Sequence, residues 1–162
     1  MSQEPEDVAG LRAEIDQVGR SAARRVDPGP GALVIAITVL VIMVAFVLPW
    51  VGAARGYDVL LGQVPTGVDV GLLPRVFAWT AVGVGVLLTA LTLVLQRWVL
   101  AWTCTLGCFA GSVAGVLSIW STQTTTSHLP GPGPGAGLVL AVVGVVVLLV
   151  RWVKLAASRS GL

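Results

Sequence analysis

The stretch 32–50 (ALVIAITVLVIMVAFVLPW) runs nineteen residues without a charge. As an α-helix it is about 28 Å long, close to the roughly 30 Å hydrocarbon core of a bilayer. Three further apolar runs follow, at 76–96, 98–120 and 136–150, and Arg151, Trp152 and Lys154 close the last one. Only 11% of the residues are charged, against about 25% in an ordinary soluble domain. The expected fold class is therefore all-α: an integral-membrane, antiparallel four-helix bundle with an amphipathic N-terminal helix. The expected spans are 32–50, 76–96, 98–120 and 136–153, within a transmembrane domain over 30–155. With 162 residues, four spans and short loops leave no room for a second domain of ordinary size.

Residues 1–29 hold most of the charge. Val8, Leu11, Ile15 and Val18 are spaced 3, 4 and 3, which predicts an apolar helical stripe over about 5–25. Acids lead that segment and Arg20, Arg24 and Arg25 end it, as the helix dipole favours. Asp27-Pro28-Gly29-Pro30-Gly31 is the expected break. With both termini on one side, that side holds eight basic residues and the other holds only Arg55 and Arg75. The positive-inside bias then predicts a multi-pass plasma-membrane protein, with the 1–29 tail and the 156–162 tail both cytoplasmic. Trp50, Trp79, Trp98, Trp120 and Trp152 fall at run ends, where indoles anchor at the headgroup boundary.

The sharpest motif is Gly107, Gly111 and Gly115, a doubled G-x-x-x-G, with Cys104, Cys108 and Ser112 as a second ridge beside it. Glycines one turn apart let another helix approach closely. The ridge serves either packing within the bundle or contact with a second membrane protein or a second copy of the chain. The two cysteines share a helix face but are too few for a metal site, and His128 stands alone in the loop 121–135. No metal and no cofactor is expected. In the first loop, Arg55, Tyr57 and Asp58 are candidate polar contacts for a lipid or protein partner.

No acid, base or nucleophile motif is present, and no ionisable residue lies mid-span. The basic residues form no long stripe, which argues against nucleic acid. These readings converge on a non-enzyme. The expected function is a structural or accessory membrane subunit that docks through small-residue helix packing, with the lipid bilayer as surroundings. The rival is a passive channel or small-molecule or lipid carrier built by oligomerisation. Against the rival, Thr80 and Thr89 are nine residues apart, on opposite faces of a regular α-helix.

Leu48-Pro49-Trp50, the Gly-Tyr-Asp-Val-Leu segment that begins at Gly56, and the Val/Gly-rich four-run layout resemble the uncharacterised small four-span membrane proteins of actinobacteria, mycobacteria and their relatives. That resemblance implies a cell-envelope setting and carries no catalytic residues.

Overall fold

A computed structural model describes residues 31–67, 70–123 and 133–158. The helix expected over 5–25 and His128 lie outside the described residues. Helix α1 (Gly31–Val47) leads into a two-stranded antiparallel ribbon, β1 (Pro49–Val51) and β2 (Ala54–Arg55), paired Pro49 to Arg55 and Val51 to Ala54. A short helix follows, α2 (Gly56–Leu61). The second long rod is α3 (Leu72–Thr80), a π-helical segment (Ala81–Leu88) and α4 (Thr89–Leu95) in series. Helices α5 (Trp98–Gln123) and α6 (Ala136–Ala157) complete four rods.

Helix α1 stops at Val47 because Leu48 precedes a proline, and Pro49 excludes the helical conformation from the residue before it. The second rod begins at Leu72, ahead of the apolar run expected from 76. Pro74 sits in its first turn, where a missing N–H leaves no intrahelical bond unmade.

The rods pack in a ring. Helix α6 lies between α1 and α5, α5 lies between α6 and the second rod, and the π segment touches α1 to close the circle. Gly144 faces Ile42 and Thr38, and Gly137 faces Ala45 and Leu48, so α1 and α6 run antiparallel. The core between the rods holds Ile35, Ile42, Phe77, Ala81, Cys104, Cys108, Leu138, Val145 and Leu148. Helices α1, α5 and α6 also turn large apolar side chains outward, among them Leu33, Leu40, Leu106, Phe109, Val143 and Val150. By length and composition the second rod, α5 and α6 are each sufficient to cross a membrane, and α1 is a shorter apolar helix of 17 residues.

The π segment is what the even helical period fails to anticipate. Thr89 Oγ1 donates to the carbonyl of Val84, five residues back (3.0 Å). Buried positions recur at intervals of four through Phe77, Ala81, Gly85 and Thr89. The wide turns shift the phase of everything that follows them. Thr80, ahead of these turns, packs on Gly111 of α5, and Thr92, after them, lies 3.2 Å from the thiol of Cys104 on the same helix. Both threonines face one neighbour, where twelve residues of regular α-helix would set Thr80 and Thr92 about 120° apart.

The hairpin between α4 and α5 turns on Gln96, whose φ of 51° is left-handed. Its N–H donates to the carbonyl of Thr92 (2.8 Å), which ends α4. A side chain in that conformation costs about 1–2 kcal/mol. Gln96→Gly is therefore expected to raise stability by about 0.5–1 kcal/mol, after the larger unfolded-state entropy of glycine is subtracted. Denaturant unfolding followed by circular dichroism checks this.

Candidate functional site: the glycine ridge and the Trp50 joint

The ridge on α5 is occupied by the chain's own rods. A Cβ at Gly107 would sit 2.6 Å from Val84 Cγ1, and one at Gly111 would sit 3.1 Å from Thr80 Cγ2. At Gly115 it would sit 2.7 Å from Val142 Cγ2 and 2.9 Å from Phe77 Cε2. The second rod and α6 thus press directly onto the glycine backbone, as small-residue ridges permit. Cys104 and Cys108 are buried beside it, both as free thiols. Ser112 Oγ donates back to the carbonyl of Cys108 (2.8 Å). Thr92 Oγ1 donates to the carbonyl of Leu88 (2.7 Å), so its oxygen is left to accept from the Cys104 thiol. The ridge is an internal seam, with Gly111, Gly115, Cys104 and Cys108 buried and Gly107 and Ser112 half-buried.

Trp50 is a joint, where the sequence suggests a boundary anchor. Pro49 has no N–H, so the carbonyl of Ala45 loses the donor that a continued helix would give it. The Leu48 N–H reaches that oxygen at 3.3 Å, and the indole Nε1 of Trp50 supplies the closer donor at 2.8 Å. Phe46 and Phe77 flank the indole, with ring centroids at 4.8 and 5.5 Å. Gly56 and Gly137 lie against it, where a Cβ would come within 2.6 and 2.8 Å of the ring. The Gly135 N–H donates to the carbonyl of Trp50 (2.7 Å), tying the start of α6 to β1. The signal in the sequence was Pro49 followed by tryptophan, with glycines at 56, 135 and 137.

Trp50 and Trp152 are both 0% exposed, which corrects their reading as headgroup anchors: both rings are packed inside the bundle. Trp79, Trp98 and Trp120 are exposed, and Trp98 meets Trp102 edge-on at 6.0 Å. The first-loop candidates engage one another. The Asp58 carboxylate accepts the Arg55 backbone N–H (3.0 Å), which caps α2, and the Arg55 guanidinium donates to the Tyr57 hydroxyl (3.0 Å). Among the described residues no group of three or more His, Cys, Asp or Glu is placed to hold a metal.

A self-packed helical module is the class that this geometry defines. Residues 12–162 match the family described as the MiaB C-terminal domain, and the chain belongs to that family. It is 41% identical over 154 residues to the tRNA-2-methylthio-N(6)-dimethylallyladenosine synthase of Mycobacterium avium (strain 104). That alignment covers 94% of this chain and 21% of the relative, so the chain spans about a fifth of the length of the protein it matches. No solved structure matches.

These matches correct several expectations. The likeness to small actinobacterial four-span proteins gives way to membership of the MiaB C-terminal domain family. The readings as a non-enzyme, as a docking subunit and as a passive channel or carrier give way because the matching relative is a synthase. The exclusion of nucleic acid falls because that synthase is named for a tRNA nucleoside. The bilayer as partner and the multi-pass plasma-membrane location yield to the same match. The physical reason is common to all of them. Apolar runs and charge bias report what each helix surface prefers locally, and carry nothing about family membership.

Proposed function

We propose that this bundle is a helical module serving the synthesis of 2-methylthio-N(6)-dimethylallyladenosine in tRNA. The observation that carries this reading is the extent of the match: nearly the whole chain aligns, at 41% identity, with one fifth of such a synthase. The closed core and the internally filled ridge suit a scaffold that holds its own shape beside the part of the enzyme that does the chemistry. The test is removal of the coding segment for this chain, followed by mass spectrometry of nucleosides from total tRNA. The methylthiolated nucleoside is expected to fall at least several-fold, with recovery on re-expression. An unchanged level would overturn the reading.

The integral-membrane character of the bundle is a proposal about fold alone. It is supported by the outward apolar side chains on α1, α5 and α6 and by three rods of spanning length. A monomer in water rarely exposes apolar patches beyond a few hundred Å². Alkaline carbonate extraction tests it: retention in the pellet supports the proposal, and release into the supernatant overturns it.

A further inference from the structure

At the end of the bundle opposite Trp50, α1 begins where α6 ends. Gly31, Ile35, Arg151, Lys154, Leu155 and Ser158 line an open cleft of about 170 Å³ between them. Arg151 and Lys154 are three apart on α6, so they share a face. Like charges so placed repel one another, and among the described residues no acid lines the cleft. Asp58, the one acid among the described residues, belongs to α2 at the other end. Arg97, on the turn between α4 and α5, adds a third cation to the same end. The first-turn amides of α1 have no acceptor within the helix, and their dipole is also positive there. Two cations therefore converge on a helix start that itself favours an anion. The Ser158 hydroxyl is spent on the carbonyl of Leu155 (3.1 Å), which leaves guanidinium, ammonium and backbone N–H as the donors. Those donors match the oxygens of a phosphate.

We propose that this cleft seats a backbone phosphate of RNA, with Arg151 and Lys154 as its two charged contacts. The choice of RNA rests on the functional reading above, while the choice of phosphate rests on the cleft. Contacts of this kind position a nucleic acid without reading its sequence.

The test uses the whole chain in neutral detergent, titrated into a fluorescently labelled, unmodified tRNA transcript over a series of salt concentrations. The double variant Arg151→Ala, Lys154→Ala is expected to bind about tenfold more weakly, and its dependence of log K on log salt is expected to flatten by about one to two. Arg75→Ala, at the opposite end, is expected to leave both quantities unchanged. Melting temperatures within a degree or two of the parent show that the variants are folded. Equal affinity and equal slope for the double variant would overturn the proposal. So would capture of the parent, but not the double variant, by phosphatidylglycerol vesicles with no tRNA binding by either, which would make the cleft a headgroup seat. The two proposals fail separately. Loss of the nucleoside on removal of the chain, with tRNA binding indifferent to Arg151 and Lys154, sinks only the cleft. Intact nucleoside with binding that depends on both cations sinks only the functional reading.

Discussion

Trp50→Ala is expected to lose about 3–5 kcal/mol of folding stability, the range for removing a fully buried large aromatic. Three effects combine at this site. The indole leaves a cavity between Phe46 and Phe77, whose centroids lie 4.8 and 5.5 Å from its own. The carbonyl of Ala45 loses its 2.8 Å donor, and Pro49 offers no N–H in its place. The close seats of Gly56 and Gly137 then face empty space. Trp50→Phe separates these terms. It restores most of the ring contact and leaves the carbonyl with only the Leu48 N–H at 3.3 Å, so about 0.5–1.5 kcal/mol is expected to remain lost. Chemical unfolding followed by far-ultraviolet circular dichroism measures both variants. A Trp50→Ala protein within about 0.5 kcal/mol of the parent would mean that the joint does not hold the rods together.

Trp50 also shows where sequence reading works and where it stops. The apolar runs locate the four rods because runs of that length exceed a strand and fit a helix. The expected first span runs on to Trp50, and Pro49, whose effect is local, ends the rod earlier, at Val47. The indole's destination is different in kind. A tryptophan at the end of an apolar run satisfies its N–H at a headgroup boundary or on a carbonyl that a proline deprives of its regular helical donor, and the sequence pattern is the same for both. What separates them is two glycines, at 56 and 137, converging on one ring, with Gly135 against the backbone of Pro49 and Trp50, and that convergence exists only in the fold.

The π segment is a second case. Gly83 and Gly85 were legible as small residues, but nothing in their spacing announces that the helix between Thr80 and Thr89 widens. The face assignment of Thr89 and Thr92 follows from that widening. The role of the chain is a third case, for another reason. The charged and catalytic groups that name an enzyme need not lie in a helical module that aligns with one fifth of it. Its composition therefore reports how the module packs and leaves the chemistry of the whole unsaid.

The glycine ridge yields the second large effect. Gly115→Leu is expected to destabilise the bundle by about 3 kcal/mol or more, at the upper end of overpacking costs. Already the first added carbon would stand 2.7 Å from Val142 and 2.9 Å from Phe77, and the rest of the leucine has no space that α6 and the second rod do not fill. Neither neighbour yields easily. Phe77 is wedged against Trp50, and Val142 lies on the helix that packs against both α1 and α5. Gly83→Leu is the matched control, because nothing lies within 4 Å of a Cβ there. It is expected to be neutral or to stabilise by up to about 1 kcal/mol, through the better helix propensity of leucine. Unfolding midpoints and size-exclusion profiles, measured together, separate an internal seam from an intermolecular one. An internal seam predicts that Gly115→Leu lowers the midpoint whatever the oligomeric state. If the midpoint held and only self-association changed, the ridge would be a contact between molecules, and the packing of α5 against α6 and the second rod would have to be redrawn.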